Sequence, residues 1–211
     1  MKKICSVALI VLALIACNSE PKFKVEGDVS GADGKMLYLE ALGLEGIAPL
    51  DSVKLKGNGS FSFKQLRPES PEFYRLRLDD KIINFSIDST ETVQIKAPYK
   101  DFATGYSVEG SPNSTKIKEL ALKQLQLQNS IDLLNKAAQA HQIGADVFED
   151  SLAILLKNYK DDVKIHYIFS APNTAAAYFA LFQKLNGYLI FDPLNNKDDV
   201  KCFAAVATSL N

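Results

Sequence analysis

The chain has few of the residues that metal sites, disulfides and redox centres need. It contains three cysteines and two histidines in 211 residues, with no Cys-x-x-Cys pair. The histidines, His141 and His166, lie in separate segments. A zinc site or a nucleophilic triad requires several such side chains at set spacings. We therefore expect structural roles for both histidines, and the sequence predicts no metal, no cofactor and no catalytic residues.

The chain also lacks an excess of charge of either sign. Its 24 Lys and Arg residues nearly balance 25 Asp and Glu residues, for a net charge of −1. Proteins that bind nucleic acids usually carry a strongly basic surface. We therefore expect no nucleic-acid partner.

No apolar run in the chain is long enough to cross a bilayer. The longest, Ile4 to Ile15, would form a helix of about 18 Å, whereas the hydrocarbon core of a membrane is about 30 Å thick. Lys2 and Lys3 precede this run, and Ala16 and Cys17 follow it. A basic start, a short apolar run and a small residue are typical of an export signal.

The end of that run, Leu14-Ile15-Ala16-Cys17, resembles the lipobox of bacterial lipoproteins. The resemblance implies that residues 1–16 are removed as a signal peptide and that Cys17 is acylated, which would hold the protein to a membrane through lipid. Residues 17–22 would then be a tether. Some bacterial lipoproteins carry an acidic run just after the lipidated cysteine, which resembles a surface-export signal. This segment lacks such a run, so we expect an outer-membrane lipoprotein that faces the periplasm. An ordinary cleaved signal peptide and a buried helix of a cytosolic protein are the alternatives.

Maturation would leave one unmodified thiol in the body of the protein. Cys5 would leave with the signal and Cys17 would carry lipid, so no intramolecular disulfide could form. The remaining Cys202 lies beside Phe203 in an alanine-rich stretch. A free cysteine in such surroundings behaves as a small apolar residue, and we expect Cys202 to be buried and inert.

Residues 23–110 alternate between apolar and polar side chains, which predicts half-buried strands. We predict one hairpin that joins residues 23–29 to 36–39 through the turn 30–34. A second hairpin is expected to join residues 52–56 to 60–63 through Gly57-Asn58-Gly59, because Asn-Gly suits tight turns. Four residues of the second hairpin should face one core: Val53, Leu55, Phe61 and Phe63. About seven short strands at this spacing predict an antiparallel β-sandwich or a partly open barrel.

In residues 111–211, apolar side chains recur at the spacing typical of helices. Ser111 is a suitable N-cap and Pro112 a suitable first helical residue. We predict a first helix that ends near Gly144 and a second that begins with a capping box of Asp146 and Glu149. Two shorter helices are predicted after these: Ala175 to Leu185, capped by Asn173 or Thr174 and ended by Gly187, and a last one from Asp198-Asp199 that contains Cys202. The predicted fold class is α+β.

Two groups of charged residues are candidate sites. Asp79, Asp80, Asp88 and Glu91 lie near turns and could ligate calcium, but their spacing fits no calcium-loop motif, so we expect solvated turn residues. Arg75 and Arg77 could bind an anionic partner, although a solvent-facing strand is the simpler expectation.

The aromatic residues of the helical region form a third candidate. Tyr178, Phe179 and Phe182 lie at helical spacing and predict either core residues or a docking surface for a following domain. The segment Val200 to Leu210 is apolar, includes Phe203, and is followed by only one residue. From this we expect a chain that stops before a further domain, with the apolar face of its last helix available for association.

Several short motifs resemble the N-terminal region of the thioredoxin-like (redoxin) lipoproteins of the Bacteroidetes. They are Phe23-Lys24-Val25-Glu26-Gly27, Leu37-Tyr38-Leu39, Asp51-Ser52-Val53, Gly57 with Ser60-Phe61-Ser62-Phe63, Tyr74-Arg75-Leu76, Val108-Glu109-Gly110-Ser111, and the stretch from Ser170 to Phe182. In that family a β-rich domain of unknown function and a helical linker precede a thioredoxin-fold domain that carries the redox chemistry.

The resemblance implies a lipid-anchored periplasmic module that is not itself an enzyme. Its expected partner is a thioredoxin-like domain, or a second copy of the chain that associates through the C-terminal helices. The alternative is a free-standing periplasmic lipoprotein that binds a peptide or a glycan.

Overall fold

A computed structural model describes residues 20–43 and 45–209. The predicted signal peptide and the predicted lipidation site, Cys17, lie outside the described residues. The first part of the described chain is all strand: β1 (Lys22–Ser30), β2 (Met36–Gly43), β3 (Gly46–Lys54), β4 (Ser60–Leu66), β5 (Glu72–Leu78), β6 (Lys81–Ile87), β7 (Thr92–Pro98) and β8 (Ser107–Glu109).

These strands form two four-stranded sheets that share one core. Sheet A has the order β4-β1-β7-β8, and sheet B has the order β3-β2-β5-β6. Their inner faces meet at contacts such as that between Phe23 of β1 and Tyr74 of β5, whose ring centroids are 5.0 Å apart. Neither sheet closes on itself, so the β-region is a sandwich. One pairing differs from the prediction, because β1 and β7 run parallel and sheet A is therefore mixed.

Both predicted hairpins are wrong, since each joins strands of different sheets. β1 pairs with β4 and β7 rather than with β2, and β3 pairs with β2 rather than with β4. A two-residue type I′ hairpin turn needs positive φ at both central residues, but in the second turn only Gly59 has it (φ 69°). A Cβ at Gly59 would lie 2.0 Å from the Val29 carbonyl oxygen. A glycine at this position therefore allows the connection from β3 in sheet B to β4 in sheet A to pass close to the backbone of β1.

The prediction that Val53, Leu55, Phe61 and Phe63 face one core is confirmed. Leu55, Phe61 and Phe63 are buried between the sheets, and Val53 packs against them. Among the eight strands of the sandwich, consecutive strands pair as β2–β3, β5–β6 and β7–β8. The second of these turns at Asp79 (φ 53°), where the sequence predicted a turn.

The rest of the described chain is mainly helical, and the structure is α+β as predicted. Its elements are α1 (Pro112–Gln139), α2 (Ala145–Val163), a π-helical segment (Lys164–Ile168), α3 (Ala175–Leu181), a small pair of strands β9 (Lys184–Leu185) and β10 (Tyr188–Leu189), and α4 (Lys197–Ser209). Ser111 caps α1, Pro112 is its first residue, and Thr174 caps α3, which confirms those three predictions. None of the described helices has the length and apolar character needed to cross a membrane.

Three predicted helix boundaries are wrong. α1 ends at Gln139, five residues before Gly144. The capping box is absent, because Gly144 is the N-cap of α2 and no side chain bonds to the cap. α3 ends at Leu181, because Lys184–Leu185 pairs with Tyr188–Leu189 as a short hairpin.

α1 attaches the helical region to one edge of sheet B, that of β6. The Ser114 hydroxyl is buried, donates to the Ser86 carbonyl oxygen (2.8 Å) and accepts from the Ser86 N–H (3.2 Å). Both edge-facing backbone groups of Ser86 are thereby satisfied, which protects an edge strand from other pairing. Ile117 and Leu120, farther along α1, belong to a second core that the helices share.

Candidate functional site

The outer face of sheet B is where the helical region and the sandwich meet. Alternate residues of its strands point inward to the core, so the residues between them point outward. The outward-facing residues are Tyr38, Glu40 and Leu42 of β2, Phe73, Arg75 and Arg77 of β5, and Ile82, Asn84 and Ser86 of β6.

A groove lies between this face and the helices α1 and α3. It has a volume of about 470 Å³, and its lining includes Phe73, Ile82, Asn84, Tyr178, Phe179 and Phe182. We call it the aromatic groove. Most of its surface is apolar, and amide groups from Asn84 and Gln124 lie among the rings.

The rings of the groove contact one another in a chain that runs from the sheet to the last helix. Phe73 of β5 stacks on Tyr178 of α3 at 5.7 Å. Tyr178 packs on Phe182 at 4.7 Å, and Phe182 meets Phe203 of α4 edge-on at 5.7 Å. Tyr178 is 38% exposed and Phe182 is 45% exposed. The cluster therefore joins sheet B to the helices and also presents aromatic surface to solvent.

A buried glutamine fixes one wall of the groove. Gln183 is 4% exposed. Its amide nitrogen donates to the Leu120 carbonyl oxygen (3.1 Å) and to the Gln124 side chain (3.0 Å), and its amide oxygen accepts from the Tyr159 hydroxyl. These bonds hold the segment after α3 against α1 and so fix the position of this wall.

Beside the groove, two arginines share one buried carboxylate. Glu40 is 4% exposed, and it accepts from Arg75 Nε at 2.6 Å and from Arg77 Nε at 2.8 Å. Burial alone would raise the pKa of Glu40, but the hydrogen bonds and charges of the two arginines outweigh it and lower that pKa below its ordinary value. The Arg77 guanidinium also lies 4.2 Å from the ring centroid of Tyr38.

This arrangement corrects the expectation that Arg75 and Arg77 form a plain solvent face. Their side chains are 18% and 31% exposed, and both are held by Glu40. Sequence reasoning did not find Glu40, because the contact depends on the register of β2 against β5, in which Glu40 is directly opposite Arg75. An acidic residue at an outward-facing position of another strand was the only available signal.

The four acidic residues considered for calcium do not come together. Asp79 and Asp80 lie at one end of β6, and Asp88 and Glu91 lie beyond its other end, about 20 Å away for a strand of this length. Asp79 accepts from Lys35 Nζ (2.9 Å) and from the Tyr99 hydroxyl (2.7 Å). In residues 20–43 and 45–209, no group of three or more His, Cys, Asp or Glu side chains could hold a metal ion.

Cys202 is fully buried in the helical core, which confirms its predicted burial. Burial raises the pKa of its thiol, so the thiolate, which is the reactive form, is disfavoured. The histidines lie apart from the groove: His141 has a left-handed conformation just after α1, and His166 Nδ1 lies 3.0 Å from the Asp162 carbonyl oxygen.

The two sheets, with α1 at the β6 edge of sheet B, define a β-sandwich domain that is followed by helices. Residues 23–117 match a family described as a domain of unknown function, DUF4369. This match extends from β1 to the first turns of α1. It therefore includes the sandwich strands and Glu40, Arg75 and Arg77.

None of the curated proteins matches the chain. Among solved structures, a proposed cell adhesion protein from Bacteroides ovatus is similar over 43% of this chain and 43% of its own length, with 11% sequence identity and a TM-score of 0.24. The chain thus corresponds to less than half of that protein.

Proposed function

We propose that the chain is a lipid-anchored periplasmic module, without catalytic activity of its own, that binds a thioredoxin-like domain in its aromatic groove. One observation carries the proposal: an aromatic groove, open to solvent, between sheet B and the helices. Aromatic side chains that are partly exposed and surrounded by packed residues are typical anchors of protein interfaces. The thioredoxin-like partner itself is taken from the resemblance to redoxin lipoproteins.

The position of β1 fits a short lipid tether. β1 begins at Lys22, five residues after the proposed lipidated cysteine, and an extended chain of five residues spans at most about 18 Å. A lipid on Cys17 would therefore keep the start of β1 near the membrane. β5 also begins near this end, since the ring of Phe23, the second residue of β1, packs against that of Tyr74, the third residue of β5. Phe73, and with it one side of the groove, would lie toward the membrane.

A role in binding agrees better with the chemistry of the chain than a redox role does. A dithiol cycle needs two neighbouring cysteines, of which one has a lowered pKa. Cys202 is the one cysteine in the described part of the chain; it is buried and its pKa is raised. In this proposal the groove positions the redox domain and contributes no reacting group.

A binding measurement tests the docking step. The full chain is mixed with a separately made thioredoxin-like domain of a redoxin lipoprotein, and the Kd is measured by microscale thermophoresis. We expect Phe182→Asp to weaken binding at least about tenfold, because it places a charge in the centre of an apolar contact. Leu194→Asp is the matched control, since Leu194 is 91% exposed and lies outside the groove. Equal affinities of the two variants and the wild type would contradict the proposal.

The lipid anchor has a test of its own. We expect Cys17→Ser to release the protein from membranes, because three acyl chains on this cysteine would be the main membrane attachment. The measurement is fractionation after a high-salt wash, followed by mass spectrometry of the N-terminal peptide. A Cys17→Ser variant that still sediments with membranes would contradict the anchor.

A second candidate function is the binding of a free peptide or glycan by a free-standing lipoprotein. The amide groups of Asn84 and Gln124 favour it, because polar groups among aromatic rings are typical of small-ligand sites. Peptide and glycan arrays, probed with the wild type and with Phe182→Asp, separate this function from docking of a folded domain.

A further inference from the structure

We infer that Arg75 and Arg77 form a carboxylate-binding subsite next to the aromatic groove, so that the groove takes a peptide segment with an apolar side chain and an acidic group. The inference rests on the proposed binding function and specifies the chemistry of the partner. Two of the three arginines of the chain are in this cluster, whereas lysine is far more common.

The arginines retain hydrogen-bond donors after they have bound Glu40. A guanidinium group has five N–H donors, and each arginine gives only its Nε–H to Glu40. Within the described residues, the Nη groups of Arg75 have no hydrogen-bond partner. In the same part of the chain, the only hydrogen bond of an Arg77 Nη group is to the Asp79 carbonyl oxygen, at 3.5 Å. Several charged donors therefore remain for a ligand.

The charge of the cluster favours an anion. Two guanidinium groups face a single carboxylate, which leaves one positive charge uncompensated. The carboxylate of Asp79, a residue whose backbone oxygen contacts Arg77, is paired with Lys35. Glu40 also holds both guanidinium groups in place, so a ligand would meet donors that are already oriented. Arginine binds carboxylates in a bidentate geometry that lysine cannot reproduce.

The arginines and the aromatic rings are close enough to contact one short segment. Phe73 and Arg75 are two residues apart on the same face of β5, about 7 Å along the strand. Asn84, which lines the groove, is directly opposite Arg75 in the sheet. A ligand that places a Phe or Leu side chain among the rings would hold a carboxylate about 7 Å away against Arg75. A peptide with an apolar and an acidic residue at positions i and i+2 meets this spacing.

The test is an immobilised library of hexapeptides, probed with the full chain. One half of the library has Phe, Leu or Tyr at position 3 and Glu at position 5, and the other half has Gln in place of Glu. For the wild type we expect the best Glu peptides to bind at least about tenfold more tightly than their Gln partners, and 0.5 M NaCl to reduce the difference.

Two arginine variants test whether the preference for Glu peptides arises from the carboxylate subsite. Arg75→Lys keeps the charge beside Glu40 but loses the guanidinium fork, and we expect the preference for Glu over Gln to fall below about threefold. Arg67→Lys is the control, because Arg67 is the third arginine and lies on the exposed loop after β4.

The outcomes separate this inference from the proposed function. Equal binding of Glu and Gln peptides by the wild type would overturn the carboxylate subsite and leave the groove intact. A preference for Glu that persists in Phe182→Asp would support the subsite but place the ligand outside the groove. No binding by any peptide of the library would overturn the peptide-binding inference, while the thermophoresis measurement would still decide the docking of a folded domain.

Discussion

The two sheets of the sandwich contribute to one core with their inner faces but differ on their outer faces. The outer face of sheet A is polar in all three long strands. Its residues include Lys24, Glu26 and Asp28 of β1, Ser60, Ser62 and Lys64 of β4, and Thr92, Gln94 and Lys96 of β7. The outer face of sheet B carries Phe73, Leu42 and Ile82, with Glu40 buried among them.

This difference indicates where a partner can bind. A polar outer face is solvated and needs no cover, so sheet A has the composition of a sheet with one side in water. Apolar residues on the outer face of sheet B require cover, and α1 and α3 supply only part of it. The uncovered part is the aromatic groove with the arginine pair beside it. Substitutions at matched positions on the two faces can therefore measure the difference between them.

The largest difference is expected between two glutamates. We expect Glu40→Gln to lower the free energy of unfolding by about 3 kcal/mol, because it leaves two partly buried arginines without their carboxylate. The control, Glu26→Gln, removes an ion pair with Lys24 on sheet A whose carboxylate is only partly buried, unlike that of Glu40, and should cost about 0.5 kcal/mol or less. Urea unfolding at pH 7 measures both. Equal losses of stability in the two variants would show that Glu40 stabilises the protein no more than Glu26 does.

The same pair of variants has a predicted pH dependence. The pKa of Glu40 is lowered in the folded state from an ordinary value of 4.5. A lowered folded-state pKa stabilises the protein at pH values above 4.5, and this stabilisation is lost as the pH falls through the folded-state value. The difference in stability between the wild type and Glu40→Gln should therefore shrink below pH 4.5. A difference that stays constant down to pH 2.5 would contradict the assignment.

A smaller difference is expected between two serines. Ser114→Ala should cost about 2 kcal/mol, because the buried N–H and C=O of Ser86 lose their partner. Ser62→Ala, on the exposed face of sheet A, should change stability by about 0.5 kcal/mol or less. Amide hydrogen exchange at Ser86 provides a local readout, and we expect faster exchange in Ser114→Ala. Unchanged exchange there would show that α1 does not protect the edge of β6.

The smallest effect on stability is expected in the groove itself. Phe73→Ala should cost about 1.5 kcal/mol, less than the loss of a fully buried phenylalanine, because Phe73 is only half-buried. Gln94→Ala, at the centre of sheet A, should cost about 0.5 kcal/mol or less. Phe73→Ala should also abolish peptide binding, whereas Gln94→Ala should not. A groove variant that binds normally would place the ligand elsewhere.

Much of the strand pattern could be predicted from the sequence, but the pairing of the strands could not. Alternation correctly placed Leu55, Phe61 and Phe63 in the core. It did not reveal that β1 and β2 belong to different sheets, because period-two alternation shows which residues share a face and not which strand lies alongside. The parallel pairing of β1 with β7 links residues about 70 apart in the chain, and no local pattern reports such a contact.

The candidate site was predicted only in fragments. Tyr178, Phe179 and Phe182 were noted for their helical spacing, and Arg75 and Arg77 for their shared strand face. Glu40 was missed. The aromatic and charged fragments come together only through the register of β2 against β5 and through the packing of α3 on Phe73.

The sequence by itself determined the local features: the period of each segment, the caps at Ser111 and Thr174, and the burial of Cys202. These depend on a residue and its near neighbours, so short stretches of sequence carry them. Only the tertiary structure decided which strands form each sheet and where a groove remains. Those features depend on contacts between residues that are distant in sequence, such as Ser86 with Ser114 and Glu40 with Arg75, and on which apolar face is left partly uncovered when the helices pack.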